Sequence, residues 1–508
     1  MPNPRPLRSS SPETRRFRTL QRRLAPLFAR IMPDPRAPRH VVVVPSLSVD
    51  AEVLARVSGA RHYEERMLCM LMLLRLPQTQ VTFVTSEPVA PAIIDYYLHL
   101  LPGIPSQHAQ RRLTLLSCSD GSPRPLTDKI LERPRLVERI RASIADPALA
   151  HMTCYNATTS ERALALALDI PLYACDPDLL PLGSKSGSRE IFREAGVPMP
   201  DGIEHVHDLS DVVEALVQLK RRTPDLRRAV VKLDEGFSGE GNAVFSFADA
   251  PTGAGLARWI RRAVPTRLAF EAPGLDWPHY EPKLREMGGI VECFVEGAGK
   301  QSPSVQCRID PRGDIELIST HDQVLGGQSG QVFLGSSFPA APAYRFDIQA
   351  AALRVATVLR RRGVLGRFGV DFISVPRGHG WEHAALEINL RKGGTTHTFM
   401  TLQFLTDGAY DPDTGLFLTP AGLPRFYYAS DNLQREAYRR LTPEDLIDIV
   451  VDNGLHFDGA TQQGVAFHMI GAVSEFGKLG MVCVADDPGR ARALYAQAVA
   501  ILDREAGA

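Results

Sequence analysis

The chain has 508 residues, with 58 Lys and Arg against 58 Asp and Glu, a formal net charge of zero and 44% hydrophobic residues. That length suggests roughly three domains with full-sized cores. The charge balance argues against a nucleic-acid binder working through a bulk basic surface and excludes an acidic, solvating disordered chain. The richest apolar run, Met67–Leu74, ends at Arg75 and is too short to span a bilayer, so no membrane partner is expected. Seven cysteines, an odd number with no C-x-x-C spacing, read as scattered reduced thiols of a cytoplasmic protein, not as a disulfide framework or zinc site.

Residues 1–39 form a basic leader with only Glu13 and Asp34 as acids, expected to be a flexible tail followed by one amphipathic helix. Thr14-Arg15-Arg16-Phe17 has the look of a twin-arginine signal, but Arg22, Arg23 and Arg30 interrupt the stretch that would have to be apolar. An Arg-rich transit peptide is the competing reading. From His40 the pattern becomes periodic. Strands are predicted at Val41–Pro45, Val81–Thr85 and Leu113–Ser117, and helices at Tyr63–Leu74, Ile93–Leu101, Pro134–Ile144 and Ser160–Leu168. Alternating strands and helices imply a parallel α/β domain over residues 40–178. Pro45-Ser46-Leu47-Ser48 after the first strand lacks the glycine turn of a dinucleotide site.

Residues 179–406 mix antiparallel strands with flanking helices, an α+β pattern. Helices are predicted at Ser184–Ala195, closed by Gly196-Val197-Pro198, and at Leu209–Arg221 and Phe346–Arg362. Strands are predicted at Ala229–Leu233, Ala243–Phe247, Ile290–Val295, Val305–Ile309 and Ile315–Ser319, then as a hairpin at Gly369–Val375 and Ala384–Leu390. Residues 407–508 read as a third, α/β domain, with a helix at Pro443–Asn453 and a strand at Gly464–Ile470. No internal repeat is discernible.

The hairpin carries the strongest chemical signal. A turn centred on His379 puts Asp371 opposite Glu387, and strand alternation turns Glu387, Asn389 and Arg391 to one side. Opposed carboxylates destabilise a sheet unless something neutralises them, and a hard divalent cation would do so. The competing reading is a solvated acidic face with Arg391 as its counter-ion. Between two predicted strands, Asp234 to Asn242 contains Gly236, Ser238, Gly239 and Gly241, whose backbone N–H groups could approach phosphate oxygens. An ordinary glycine hairpin fits the same residues. Lys232, at the end of an apolar strand, needs an anionic partner. Glu292, Phe294, Val295 and Glu296 lie on a strand end that could flank a flat base, or simply leave the core.

The order Lys185, Lys232 with its glycine loop, Glu292 to Val295, Asp371, then Glu387-Ile388-Asn389-Leu390-Arg391 resembles the ATP-grasp superfamily. The Asp371 and Glu387-Ile388-Asn389 arrangement is similar to D-alanine–D-alanine ligases, and Asn389 to Arg391 followed by His397 to biotin carboxylase and carbamoyl-phosphate synthetase. Within the superfamily the chain resembles the peptide ligases of the pheganomycin type. That resemblance rests on Leu126–Leu136, Gly183–Arg189, His321–Gly327, Glu387–His397 and His456–Asp458, and it covers the chain from about His40 onward.

The resemblance implies an ATP-grasp fold between a pre-ATP-grasp domain and a distinct C-terminal domain. It implies ATP bound by Lys185, Lys232, the glycine loop and the Glu292–Glu296 strand end, with Mg²⁺, or alternatively Mn²⁺, on Asp371, Glu387 and Asn389. Where relatives place a ribose-binding acid, this chain has Gly299 to Ser302, leaving Glu296 as the candidate. The implied reaction activates a small carboxylate as an acyl phosphate and couples it to an amine or peptide. Arg391 and Arg308 are the candidates for stabilising the tetrahedral intermediate. A small-molecule kinase and a non-catalytic ATP-binding module are the alternatives, and oligomeric state stays open.

Overall fold

The computed structural model describes residues 11–49, 54–55, 57–236, 241–272, 274–326 and 332–507. The first sheet consists of β1 (Arg39–Val44), β2 (Thr79–Thr85), β3 (Leu113–Ser117) and β4 (Ala150–Cys154). Its order is β3-β2-β1-β4 and its pairings are parallel, as the alternating pattern predicts. Strand β4 was not legible in the sequence because His151 and Thr153 break its apolar run, yet all five of its residues are buried. The chain reverses direction across the sheet between β1 and β4, which opens a crevice at the carboxyl ends of those strands. The helix expected at Tyr63–Leu74 is a tightly wound 3₁₀ segment over Ala60–Arg75.

The leader differs from expectation. From Ser11 onward it folds as two helices, Pro12–Gln21 and Leu24–Ile31, where one was expected. Its arginines alternate with Phe17, Leu20, Leu24, Leu27, Phe28 and Ile31, all of which are buried. Phe17 is fully enclosed, with the Arg162 guanidinium 5.3 Å from its ring centroid, and Arg162 in turn pairs with Asp176 and Asp178. Residues 1–10 lie outside the described residues.

The middle region contributes a second sheet of β5 (Gly202–Val206), β6 (Arg228–Leu233), β7 (Asn242–Ser246), β8 (Ala269–Phe270) and β9 (Gly289–Cys293), in the order β5-β9-β6-β7-β8 with antiparallel pairings. The third sheet begins with β10 (Pro303–Ile309), β11 (Ile315–Gly326), β12 (Val332–Phe338), β13 (Gly366–Arg377) and β14 (Gly380–Asn389). It continues through β15 (Ala409–Asp411), β16 (Leu416–Leu418), β17 (Pro424–Gln434), β18 (Gly464–His468) and β19 (Lys478–Ala485). The C-terminal region is therefore joined by backbone hydrogen bonds to the middle region: β17 pairs with β12, and β19 pairs with β17 and β18.

The core repeats that continuity. Leu68 and Leu71 of the 3₁₀ segment pack in one cluster with Phe399, Phe404, Met481 and Val482. Burying such a shared apolar surface fixes the N-terminal and C-terminal regions against each other. A second cluster lies beneath the helix Arg345–Arg361, and a third fills the space between the second sheet and its helices. Among the described residues no helix is long and apolar enough to cross a membrane.

The docked leader is testable. Phe17→Ala should cost about 3 kcal/mol, the usual order for emptying a buried aromatic site, and lower the midpoint in thermal denaturation. An unchanged midpoint would mean that the first helix is not held on the body in solution.

Candidate active site

The two-residue turn at Gly378-His379 pairs Arg377 with Gly380, half a residue away from a turn centred on His379. A bulge then inserts Leu386 between the Phe372–Ala385 and Asp371–Glu387 pairs, and restores the expected register at the carboxylates. Asp371 and Glu387 consequently face each other across β13 and β14. Asn389 donates from Nδ2 to Asp371 Oδ2 at 2.9 Å and to Glu387 Oε1 at 3.1 Å. Its own Oδ1 accepts from Arg391, and the Lys185 ammonium pairs with Glu387 Oε2. Gln323, on β11, donates to Asp371 Oδ1 at 2.9 Å.

The two carboxyls are driven apart electrostatically. Asp371 is raised from the usual Asp range, first by burial and then by the Glu387 charge beside it. Burial also opposes the Glu387 charge, but the Lys185 ammonium, helped by Lys232 and Arg391, outweighs it and holds Glu387 below the ordinary range. Among the described residues no group of three His, Cys, Asp or Glu gathers around one point. The candidate metal set is thus two carboxylates and one amide oxygen, all hard donors. That set suits Mg²⁺, which is commonly held by one or two carboxylates together with substrate phosphates.

Lys185 is the first residue of a helix, Lys185–Ala195, whose cap is Ser184. Its N–H donates to Asp234 O at 3.2 Å, and the Ser186 N–H to Asp234 Oδ1 at 2.8 Å. Asp234 follows Lys232 and begins the glycine loop, so one residue ties both lysines and the loop base together. Lys232 pairs with Glu292 Oε1, and Arg189 reaches Glu292 Oε2 at 3.2 Å. Glu292 is therefore a buried bridge between two cations. The Tyr280 hydroxyl donates to Gly241 O at 3.1 Å and anchors the far side of the loop. Ser238 and Gly239 lie outside the described residues.

These groups share a cavity of about 480 Å³. Lys185, Lys232, Gly236, Glu292, Phe294 and Val295 line it together with Asp371, Glu387, Asn389 and Arg391. Lys300 also lines it, with its ammonium 4.4 Å from the Phe294 ring centroid. Three expected residues, Gly241, Glu296 and Arg308, are absent from the lining. Glu296 is clasped by Arg228 at 2.9 and 2.6 Å and is absent from the lining.

Arg308 does lie on the sheet face that carries Asp371, but it is opposite Arg367, whereas Asp371 is opposite Ser304. Four residues of extended strand separate those positions, about 13 Å, and Arg308 pairs with Glu316 instead. Strand length carries it past the cavity.

The Gly393–Thr396 segment begins the helix Gly394–Thr406 beside the carboxylates. Gln306 holds it, donating to Thr395 Oγ1 at 2.8 Å and accepting from Thr396 Oγ1 at 2.9 Å. Lys392, buried, donates to Thr153 Oγ1 at 3.0 Å, and its N–H to Tyr155 O at 3.1 Å. The site strand is thereby fastened to the end of β4 in the first sheet. His397 points away from the cavity lining and sits 3.1 Å from His468, ring nitrogen to ring nitrogen. Sequence reasoning missed Gln323 and Gln306, because each is one polar residue among several on its strand and no spacing ties it to the carboxylates. It also missed Tyr63, Arg66, Tyr155, Asp431 and Lys478, which complete the cavity wall from the N-terminal and C-terminal regions.

Comparison with known proteins agrees with this construction. The family described as IQCH-like, ATP-grasp matches residues 180–265 and 266–413, and the PGM1 C-terminal domain family matches 445–498. The chain is 32% identical to an L-propargylglycine–L-glutamate ligase of Streptantibioticus cattleyicolor over 481 residues, 93% of this chain and 95% of that one. It is 23% identical to IQ motif-containing protein H of Danio rerio, of which it spans 49%. Among solved structures, an N5-carboxyaminoimidazole ribonucleotide synthetase in complex with ADP superposes with a TM-score of 0.52 at 13% identity, covering 92% of this chain and 98% of that one. The biotin carboxylase of Campylobacter jejuni gives 0.52 at 11% identity, covering 90% of each. These two likenesses concern the fold alone. The near full-length match to a ligase, on this fold and with these residues around one cavity, makes the chain a member of the ATP-grasp carboxylate–amine ligases, enzymes that use ATP to form carbon–nitrogen bonds.

Proposed function

We propose that the cavity joins a small carboxylate to the amine of an amino acid or peptide, through an acyl phosphate. The observation that supports this best is the opposed Asp371–Glu387 pair, bracketed by Lys185 and Arg391 and joined through Asp234 to the glycine loop. The L-propargylglycine–L-glutamate ligase, similar over nearly its whole length, is named for two amino acids, which supports amino acids as the substrate class here.

In this reading Phe294, Val295 and Lys300 flank the base of ATP, and Lys232 and Lys185 lie along its phosphates. Gly236 and its loop neighbours offer backbone N–H groups to the same phosphates. Asp371, Glu387 and Asn389 Oδ1 would hold Mg²⁺ or Mn²⁺, which when bound supplies charge neutralisation between the β- and γ-phosphates. A substrate carboxylate oxygen attacks the γ-phosphorus, the bond to the β–γ bridging oxygen breaks, and ADP departs. The amine nitrogen then attacks the acyl carbon. The carbon–oxygen bond to phosphate breaks, phosphate leaves, and the nitrogen loses a proton. Arg391 stabilises the negative charge on the tetrahedral carbon's oxygen, because it is fixed in place by Asn389 before reaction. The hydroxyls and N–H groups of Gly393 to Thr396 hold the carboxylate for attack. All seven cysteines are free thiols, which supports a reducing compartment such as the cytoplasm.

Glu387→Gln should lower ADP release by about a hundredfold or more, the usual scale for losing a fixed electrostatic group, while circular dichroism stays unchanged; undiminished turnover would remove the carboxylate pair from the chemistry. Treatment with EDTA should stop turnover, and added Mg²⁺ should restore it. Glu292→Gln should destabilise the protein by about 3 kcal/mol, because Arg189 and Lys232 both lose a buried counter-ion. Urea denaturation would measure that loss, and a raised KM for ATP should accompany it.

A further inference from the structure

Beyond the catalytic cavity, the sheet face that carries Asp371 continues to Arg308 and Arg367, cross-strand partners on β10 and β13. Glu316 on β11 is the next residue in that row and pairs with Arg308. The row thus sets one carboxylate beside two guanidinium groups, and like charges directly opposite each other destabilise a sheet. Among the described residues no carboxylate lies within 4.0 Å of Arg367, and its buried Nη1 has no hydrogen-bond partner. Arg308 Nε is buried without a partner as well.

The first domain supplies the opposite wall. The start of β13 packs on it so closely that a Cβ on Gly366 would lie 3.2 Å from Ala174 Cα, next to Tyr173. Tyr173 and Leu365 pack on the same leader cluster, around Leu24, Leu27 and Phe28. The Phe28 ring centroid is 4.7 Å from that of Tyr173 and 5.5 Å from that of His151, and the Tyr173 and His151 centroids are 6.1 Å apart. The Tyr173 hydroxyl and His151 Nδ1 are likewise buried without a partner among the described residues. Buried polar atoms are rarely left so, and four of them gathered where the leader, the first sheet and the third sheet join call for a polar occupant.

The charges around this junction do not balance. Glu316 serves Arg308, and Asp310 is taken by Arg312. Arg39, on the His151 side, donates to the carbonyls of Ile31, Asp34 and Ala37 and has the Asp34 charge beside it. Asp371 and Glu387 lie about 13 Å further along the sheet, engaged by Lys185 and Asn389. Burial pulls His151 down to about 3, pushes the Cys69 thiol up to about 12 and raises the Tyr173 phenol, so all three are neutral. Lys392 and Arg367 are left. Burial brings Lys392 down to about 8, and Thr153 Oγ1 and the Cys154 carbonyl accept its protons. Burial, with Arg308 beside it, brings Arg367 down only to about 10, so it stays charged at neutral pH with no acid to meet it. Such a buried cation is costly, and a guanidinium does not relieve the cost by shedding its proton.

We propose that this junction is a second binding site, taking a small tetrahedral oxyanion of the phosphate or sulfate type between Arg367, Arg308 and the Tyr173 hydroxyl. Two guanidinium groups on the sheet and a phenol on the facing wall donate from different sides, which suits an ion with acceptors on every face better than a flat carboxylate. The ion closes the charge on Arg367 and joins the leader, through Phe28 and Tyr173, to the third sheet. The site is separate from the nucleotide machinery and does not depend on the ligation chemistry.

Crystals of the full chain with ADP bound, soaked in selenate, test this without a variant, because selenate is a tetrahedral oxyanion whose selenium scatters anomalously. An anomalous peak beside the Arg308 and Arg367 guanidinium groups is expected; a peak confined to the catalytic cavity, or none, would overturn the site. In calorimetry, inorganic phosphate should bind the ADP-saturated protein, and Arg367→Met should weaken that binding about tenfold or more, the usual effect of losing a charged hydrogen bond. Arg391→Met, which alters only the catalytic cavity, should leave it in place. Phosphate binding that Arg391→Met removes and Arg367→Met spares would belong to the catalytic cavity and would sink the proposal. Both rankings of glycerol 3-phosphate against phosphate support the site: equal binding assigns it to a phosphoryl group on a larger molecule, weaker binding to the free ion. The selenate peak decides the matter even if a variant does not fold.

Discussion

Two carboxyl groups, Asp371 and Glu387, are held face to face on neighbouring strands in a place with little solvent, and much of the fold is arranged around that conflict. Like charges so placed repel unless cations or donors intervene. Lys185, Arg391, Asn389 and Gln323 intervene, and they arrive from a helix start, the segment after β14, the last residue of β14 and β11. The same requirement propagates outward. Lys185 is placed by Asp234, Asp234 begins the glycine loop, and the loop leaves the strand whose Lys232 is balanced by Glu292. A site of opposed charges therefore fixes the second sheet relative to the third.

The site strand is fixed on its other side as well. Lys392 is tied to Thr153 and the backbone of Tyr155, which joins the end of β14 to the end of β4. The 3₁₀ segment and β19 share one apolar core, and β17 extends the third sheet. Three stretches distant in sequence thus meet as three walls of one cavity. Such rigid placement is what electrostatic catalysis requires, since a cation that had to reorganise at each turnover would lose most of its effect.

Much of this was legible beforehand. The parallel sheet followed from alternation of strands and helices, and the hairpin register followed from its glycine-flanked turn. That register came out right because two deviations cancel: the turn is half a residue short and the Leu386 bulge restores it. Arg308 was named as a candidate from its strand alone, and being on that strand says nothing about how far along the sheet from Asp371 a residue lies. Strand β4 was invisible because a strand buried on both faces by helices and neighbouring strands tolerates His and Thr where their polar atoms find partners or ring contacts. The second leader helix was missed because a count of arginines hides the apolar stripe between them.

The sequence by itself determined the class of chemistry: the order of two lysines, a glycine loop, an apolar strand end and an acid–acid–amide set is a local pattern, readable wherever spacing along one strand or loop fixes geometry. The tertiary structure alone decided which distant residues complete the cavity wall. Arg66, Asp431 and Lys478 are separated by hundreds of residues or lie in different elements, and no periodicity links them. They converge only because the shared core and the continuous third sheet bring the N-terminal and C-terminal regions to one cavity wall.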